Sequence, residues 1–262
     1  MNILLTNDDG IHSEGLWAIA EKLCEIADVT VVVPDRDQSG MGASMTLLKP
    51  LSFERVEPRI AGVYSAYTVQ GTPADCVIMA TEHILESEPD LIVSGINQGA
   101  NLGLDVFNSG TFGAALHGYF RGINSIAVSV LYKEDVIYGP SAIVGTILAQ
   151  CMLDMTSEEK LLLNLNLPAC QMGDIKAFDL TKLGPKAFLE NVESMQSGRR
   201  TFFWIKHNKP VNDNGLEGTD VWSVKNDRVS LTFVDPFLST LNGCKLAGMF
   251  ADMVRERLEI RN

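Results

Sequence analysis

Cysteine is scarce in this chain of 262 residues, and its pattern argues against two common uses of the residue. The five cysteines are odd in number, and no two of them form a Cys-x-x-Cys pair. This argues against a zinc site built from paired thiolates and against a disulfide framework. Most of the cysteines stand among apolar residues, so we expect reduced thiols in the core of a cytoplasmic protein.

Long apolar runs and basic clusters are also missing. No apolar run approaches the ~20 residues that cross a bilayer, so we expect no membrane partner. The N-terminus has no basic region before an apolar segment, and we therefore expect no signal peptide. The net charge is −12, which argues against duplex nucleic acid as a partner. An acidic protein can still bind a phosphorylated small molecule if a divalent cation neutralises the contact.

Several well-known catalytic and nucleotide-binding motifs are absent as well. The chain has no Gly-x-Gly-x-x-Gly fingerprint and no Walker A lysine, which weakens dinucleotide and nucleoside triphosphate interpretations. No His-Glu-x-x-His pair occurs. The segment Gly42–Thr46 resembles only half of a nucleophile elbow, because its closing glycine is missing.

What the sequence does contain is a repeating alternation of strand-like and helix-like segments. Strand-like runs lie at 3–5, 29–33, 91–94, 126–130 and 161–167, and helix-like segments lie at 16–27, 73–85, 114–120 and 142–155. This alternation predicts an α/β fold, with a mostly parallel sheet and helices on both faces. Short extended pieces between 44 and 71 predict an antiparallel addition. Three glycines spaced four apart within 94–105 predict a long irregular loop.

The last third of the chain differs in character. We predict an α/β core over residues 1–178 and a hairpin-bearing extension over 179–262. Its extended pieces include 201–206 and 229–233, and a helix over 245–260 is expected to close the chain. The aromatic residues Phe202, Phe203 and Trp204 suit a contact between subunits. Packing on the protein's own sheet is an equally good interpretation of them.

Two adjacent carboxylates, Asp8 and Asp9, follow the first predicted strand, and Gly10 permits a turn there. In an open α/β sheet, ligands bind outside the carboxyl ends of the strands. Neighbouring carboxylates repel each other unless a cation or a proton lies between them. Taken alone, the pair fits a metal site and a solvated turn about equally well.

Ser39 and Asn97 extend this pattern, because each follows another predicted strand. If the three strands are neighbours, their loops converge on one crevice. Carboxylate, hydroxyl and carboxamide oxygens form a hard ligand set that suits Mg²⁺ or Mn²⁺. Such an ion binds substrate phosphate and polarises a phosphoryl oxygen. The residues therefore favour metal-assisted phosphoryl hydrolysis, with Asp9 the preferred proton acceptor if either acid has a second role.

Ser109, Gly110 and Thr111 precede a helical segment. A helix start offers free backbone N–H groups, and with two hydroxyls it makes an anion site. An ordinary N-cap is the alternative and more common use of such a triplet.

These motifs, in this order and approximate spacing, resemble the SurE family of stationary-phase survival proteins. The matching segments are Asn7-Asp8-Asp9-Gly10, Ser39-Gly40, Gly71-Thr72-Pro73-Ala74-Asp75-Cys76, Ser94-Gly95-Ile96-Asn97, Gly99-Ala100-Asn101, Ser109-Gly110-Thr111, Asn164-Leu165-Asn166-Leu167-Pro168 and Gly218-Thr219-Asp220-Val221-Trp222. Phe112 and His117 depart from the family pattern, in which these positions are commonly smaller and acidic, respectively. Neither position is among the expected ligands.

The resemblance implies a Rossmann-like core and a metal-dependent phosphatase for nucleoside 5′-monophosphates, often 3′-monophosphates and sometimes short polyphosphate. It implies one Mg²⁺ or Mn²⁺ per subunit, with Asp8, Asp9, Ser39 and Asn97 as ligands and Asp8 and Asp9 as catalytic residues. Ser109, Gly110 and Thr111, together with Asn97, would bind the substrate phosphate. It also implies a homodimer or homotetramer that exchanges C-terminal hairpins. The alternative hypothesis is a non-catalytic nucleotide-sensing module that uses the same pocket.

Overall fold

The computed structural model describes residues 1–210 and 215–236, in which nine strands form one sheet and two more form a separate hairpin. The strands are β1 (Asn2–Thr6), β2 (Asp28–Pro34), β3 (Phe53–Val56), β4 (Ser65–Val69), β5 (Leu91–Gln98), β6 (Ser125–Val130), β7 (Leu162–Leu167), β8 (Phe178–Thr181), β9 (Phe188–Ser197), β10 (Arg200–Pro210) and β11 (Val229–Phe233). The helices are α1 (Glu14–Leu23), α2 (Pro73–Met79), α3 (Gly110–Phe120), α4 (Gly139–Leu153) and α5 (Asp220–Lys225).

The order of strands in the main sheet is β3-β4-β2-β1-β5-β6-β7-β11-β8. The six strands from β4 to β7 in this order are all parallel to one another, whereas β3 is antiparallel to β4 and β11 is antiparallel to β7. Numbered among themselves along the chain, the six follow the order 3-2-1-4-5-6, which is that of the Rossmann fold. The predicted α/β class with a mostly parallel sheet is therefore confirmed, and the strand order reverses between β1 and β5.

Helices cover both faces of this sheet. Helices α1 and α4 pack together over one face, where Ile3 and Leu5 of β1 are buried. Helices α2 and α3 cover the other face, where Leu4 is buried. The alternation follows from the pleat of a strand, which directs successive side chains to opposite faces. A strand that has helices packed on both of its faces therefore needs a continuous apolar run, as in β1.

The predicted irregular loop at 94–105 is wrong in its first half. Strand β5 runs on through Gly95 to Gln98, with a register shift against β6 between Ser94 and Asn97. Gly95 has a φ of +139°, and a Cβ there would lie 2.3 Å from the carbonyl oxygen of Val128. Glycine is thus required for close approach of the two strands. The following residues, Gly103–Asn108, form a short 3₁₀ helix.

The C-terminal part of the chain is described only in pieces. Strands β9 and β10 form the antiparallel hairpin expected there. Strand β8, which begins at Phe178, and strand β11 belong to the main sheet. The proposed division of the chain at residue 178 stays a prediction, and the helix predicted over 245–260 lies outside the described residues. No helix within residues 1–210 or 215–236 has the length and apolar character needed to cross a bilayer.

The long loop after β2, which carries Ser39, is attached to α2. The Thr72 hydroxyl donates a hydrogen bond to the carbonyl oxygen of Ser44 at 2.7 Å. The backbone N–H of Thr46 donates to Oδ1 of Asp75 at 2.9 Å. Thr72 and Asp75 also form the capping box of α2. One cap therefore fixes both the helix and the loop.

Helix α3 holds the same loop from another side. Nε2 of His117 lies 3.1 Å from the carbonyl oxygen of Ala43. Just before α3, at the end of the 3₁₀ helix, the carbonyl oxygen of Asn108 accepts from the N–H of Gly42 at 3.1 Å. The sequence alone identifies no partner for His117, because Ala43 lies far away along the chain. The loop carrying Ser39 is thus fixed to both α2 and α3.

We predict that His117 makes stability depend on pH. Burial is the main cause that lowers the pKa of this imidazole, while the Arg121 charge lowers it further and the Ala43 carbonyl and Asp75 raise it. A histidine with a lowered folded-state pKa costs stability as pH falls through its unfolded pKa of about 6.5. His117→Gln keeps a donor for Ala43 and cannot titrate. Between pH 7.5 and 5.0, the melting temperature of the wild type should fall more than that of the variant. Parallel curves would contradict this assignment.

Candidate active site

Three loops meet where the order of the strands reverses. Strand β1 lies between β2 and β5, so the loop after β2, the acid pair after β1 and the end of β5 share one edge of the sheet. The backbone N–H of Gln38 donates to the carbonyl oxygen of Asp8 at 2.8 Å, which joins the Ser39 loop to the acid pair. The backbone of Gln98 donates to the carboxylate of Asp9, which joins the end of β5 to the same pair. The neighbouring strands that the sequence hypothesis requires are therefore present.

The turn that carries the two acids is closed by Asn7. Its Nδ2 donates to the carbonyl oxygen of Gly10 at 3.0 Å, and its Oδ1 accepts from the N–H of Gly10 at 3.1 Å. Gly10 has a φ of +85°, and a Cβ there would lie 3.1 Å from the carbonyl oxygen of Pro34. A larger residue would be strained in this conformation. The positions of both carboxylates therefore follow from one rigid turn.

The side chain of Asp8 is buried against the first turn of α3. The Thr111 hydroxyl donates to its Oδ1 at 2.5 Å. A Cβ on Gly110 would lie 2.8 Å from the Asp8 Cβ, so glycine is needed for this contact. Burial raises the pKa of Asp8, although hydrogen bonds from Thr111 oppose the rise. The positive end of the helix dipole favours a carboxylate at this place.

Asp9 is only partly buried, and it faces a different set of neighbours. Its pKa is raised to about 7, first by burial and then by the charges of Asp8 and Asp37. Hydrogen bonds from the Ser13 side chain and the Gln98 backbone act in the opposite direction. A carboxyl group with such a pKa can hold or release a proton near neutral pH.

Ser39 and Asn97 each use one group in a local hydrogen bond. The exposed Ser39 donates to Oδ1 of Asp37 from its N–H at 2.7 Å and from its hydroxyl at 2.6 Å. Nδ2 of Asn97 donates to the carbonyl oxygen of Gly99 at 2.6 Å. Because the hydroxyl hydrogen and the amide nitrogen are used in this way, oxygen lone pairs are what both side chains can offer to a cation.

The predicted anion site at residues 109–111 begins α3, with Ser109 as its N-cap. The Ser109 hydroxyl accepts from the N–H of Phe112 at 3.0 Å, so the ordinary capping role that the sequence left open is real. The Thr111 hydroxyl is engaged with Asp8. The donors that can face a phosphate at this helix start are therefore the Ser109 hydroxyl and the backbone N–H of Gly110.

Two neighbours of the acid pair could not be found from the sequence. The first is Asp37, whose charge acts on both acids. The second is Tyr138, whose pKa is raised to about 12 by burial and by the charges of Asp9 and Glu14. Asp37 stands in a polar loop where acids are ordinary, and Tyr138 follows a strand whose loop showed no motif. No local signal separates either residue from a surface side chain.

The chemistry of these side chains fits a hard divalent cation. The acids Asp8, Asp9 and Asp37 repel one another, and no lysine or arginine in residues 1–210 or 215–236 forms an ion pair with them. The same part of the chain contains no group of three or more His, Cys, Asp and Glu arranged to hold an ion. A cation here would therefore need neutral oxygens, such as those of Ser39 and Asn97, beside the acids.

Comparison with known proteins identifies the family. The model of the family described as "Survival protein SurE" matches residues 3–190. The 5′-nucleotidase SurE of Dehalococcoides mccartyi (strain CBDB1) is 38% identical over 259 residues, covering 96% of this chain and 97% of the relative. The 5′-nucleotidase SurE of Vibrio parahaemolyticus is 37% identical over 234 residues, covering 88% and 87%.

A solved structure is similar over nearly the whole chain. The crystal structure of the SurE protein from Aquifex aeolicus matches with a TM-score of 0.80 and 36% sequence identity, covering 96% of this chain and 100% of that one. The family model alone spans well over half of the chain, and the acid turn, the Ser39 loop and the start of α3 all lie within the span that it matches. This chain belongs to the SurE family of survival proteins.

Proposed function

We propose that this protein is a 5′-nucleotidase that hydrolyses nucleoside 5′-monophosphates to nucleoside and phosphate and depends on a divalent cation. Nucleoside 3′-monophosphates and short polyphosphate are proposed as further substrates. The observation that carries the proposal is the position of the acid pair just after β1, which lies between β2 and β5, with Asp8 against the amino end of α3. The relatives named 5′-nucleotidase SurE support the same reaction.

In this proposal Asp8, Asp9, Ser39 and Asn97 hold one Mg²⁺ or Mn²⁺ per subunit. When bound, the cation supplies Lewis-acid polarisation of a phosphoryl oxygen. Asn97, the Ser109 hydroxyl and the N–H of Gly110 face the substrate phosphate, and the helix dipole of α3 stabilises its charge. Thr111 contributes to this phosphate site through its hydrogen bond to Asp8.

The two acids have different proposed roles because their surroundings differ. Asp8 is fixed by Thr111 and by the contact with Gly110, so it orients the bound groups. Asp9 is more accessible, and we assign to its carboxylate the acceptance of a proton during hydrolysis.

The assembly that we propose is a homodimer or homotetramer formed through the hairpin of β9 and β10. This hairpin lies outside the main sheet. Its exposed apolar side chains include Val192, Phe203 and Ile205, with 63%, 66% and 77% of their surfaces accessible. Large apolar side chains are enriched in subunit contacts, which supports the proposal. The cytoplasmic location stays a prediction from the sequence.

A phosphate-release screen tests the proposed function. The substrates are nucleoside 5′- and 3′-monophosphates and tripolyphosphate, each with Mn²⁺, with Mg²⁺ and after chelation. We expect release from 5′-monophosphates that stops when the cation is removed. Tight nucleotide binding without phosphate release under every condition would favour the sensing module instead.

Asp8→Asn should separate activity from stability. The change removes the charge but keeps an oxygen that can accept from Thr111, so we expect turnover of a nucleoside monophosphate to fall at least ~100-fold. The melting temperature should not fall, because the charge that is lost was costly to bury.

Asp220→Asn is the matched control for this prediction. Asp220 is also fully buried, but its oxygens accept from the N–H groups of Gly103, Gly184 and Val221. In the asparagine variant, the side-chain NH₂ would replace one oxygen and would stand opposite a backbone N–H, so that one donor faces another. Such a mismatch lowers the free energy of unfolding by about 1–3 kcal/mol. We expect a lower melting temperature with turnover retained at 25 °C. Normal turnover in folded Asp8→Asn protein would refute the role of Asp8.

Gly110→Ala tests the contact between α3 and the acid pair. The added methyl would lie 2.8 Å from the Asp8 Cβ and 2.9 Å from its Oδ2, so one of the two must move. Displacement of a reacting group by a fraction of an ångström should lower turnover by roughly 10- to 100-fold. Gly139→Ala is the control, since Gly139 is the first residue of α4 and no atom lies within 4 Å of its added methyl. Equal activities of the two variants would show that this contact is unimportant.

A further inference from the structure

Both hydrogen bonds that Ser39 donates have the same acceptor, the carboxylate of Asp37. Oδ1 of Asp37 accepts from both the N–H and the hydroxyl of Ser39, at 2.7 and 2.6 Å. A serine hydroxyl has one hydrogen and two lone pairs. With its hydrogen directed at Asp37, the Ser39 oxygen can present only lone pairs to any other neighbour.

Asp37 also lies close to the acid pair. The next residue, Gln38, donates from its backbone N–H to the carbonyl oxygen of Asp8 at 2.8 Å. The charge of Asp37 contributes to the raised pKa of both Asp8 and Asp9, which shows that the three carboxylates share one electrostatic environment. The residue therefore adds negative charge at the place where the proposed function needs a cation.

We infer that Asp37 is a positioning residue that orients the Ser39 hydroxyl so that its oxygen faces the cation. This inference rests on the proposed function. Its physical basis is that a hydroxyl is a weak, neutral ligand whose hydrogen must point away from the ion. Carboxylates that orient ligands from outside the coordination sphere typically change metal affinity by about 10–100-fold.

The same loop offers a matched control in Asp35. This residue stands two positions before Asp37 and is likewise exposed. Its Oδ1 lies 3.9 Å from Nε of Arg36, and it forms no hydrogen bond with Ser39. Substituting Asp35 removes one negative charge from the loop but leaves the orientation of Ser39 intact.

The experiment measures Mn²⁺ binding to metal-free full-length protein by electron paramagnetic resonance of the free ion. The proteins are the wild type, Asp35→Ala, Asp37→Ala, Asp37→Asn, Ser39→Ala and the double variant Asp37→Ala/Ser39→Ala. We expect Asp37→Ala to weaken binding at least ~10-fold. Asp37→Asn keeps an acceptor oxygen without the charge, so its loss should be smaller. Asp35→Ala should bind within about twofold of the wild type, because exposed charges are well screened.

The double variant decides whether Asp37 acts through Ser39. If it does, Asp37→Ala should weaken binding by less than about twofold once Ser39 is alanine, since coupled residues are not additive. An equal loss in both backgrounds would mean that Asp37 is a direct ligand or a distant charge, and the inference would be overturned. Equal affinities of Asp35→Ala and Asp37→Ala would overturn it as well.

Two further measurements keep this test separate from that of the proposed function. Melting curves of each metal-free variant show whether the exposed loop substitutions leave the fold intact, as we expect. Turnover of AMP by the wild type shows whether the parent activity exists. If the wild type neither binds Mn²⁺ nor hydrolyses AMP, the proposed function fails and the inference fails with it. If the wild type does both and the Asp37 variants bind normally, only the inference fails.

Discussion

The contact between Asp8 and the first turn of α3 determines the geometry of the whole crevice. The Thr111 hydroxyl donates to Oδ1 of Asp8, and Gly110 lacks the Cβ that would collide with the aspartate. Because Asp8 lies only two residues after the end of β1, this contact fixes the helix start against the strand at the reversal of the sheet order. The Ser39 loop then docks on the Asp8 backbone through Gln38. Removing the contact would separate the acids from the helix dipole that faces them.

This arrangement has an energetic cost that the fold must offset. Burial raises the pKa of both acids, and Asp37 adds a third negative charge. Such groups lower the stability of the folded protein at neutral pH, because charged carboxylates are solvated better in the unfolded chain. Burial of apolar side chains between the sheet and the helices on its two faces offsets this loss of stability. Functional sites commonly retain groups that lower the stability of the fold when those groups bind a ligand. A divalent cation would remove the repulsion.

Much of the fold could be predicted from local sequence patterns. The apolar run of β1, the β-branched run of β2 and the capping residues of α2 are short-range signals that tertiary contacts did not override. The loop prediction was wrong for residues 94–98 because glycine usually weakens a strand, whereas Gly95 is needed in β5 for close approach to Val128. That contact joins residues far apart in the sequence, and a local pattern cannot show it.

The candidate site divides in the same way. Asp8, Asp9 and the start of α3 are marked by turn and cap residues, so the sequence could single them out. The neighbours that depend on loop geometry could not be found, namely Asp37, Tyr138 and the contact of His117 with Ala43. Their side chains are common types in ordinary surroundings, and only the packing of distant segments gives them a role.

In the proposed site, oxygens of Asp8, Asp9, Ser39 and Asn97 would hold a single cation in each subunit. Anomalous X-ray diffraction from crystals grown with Mn²⁺ measures this directly. We expect one anomalous peak per subunit, with carboxylate oxygens of Asp8 and Asp9 within about 2.5 Å. A peak held by other residues, or no peak in the crevice at Mn²⁺ concentrations that support hydrolysis, would contradict it.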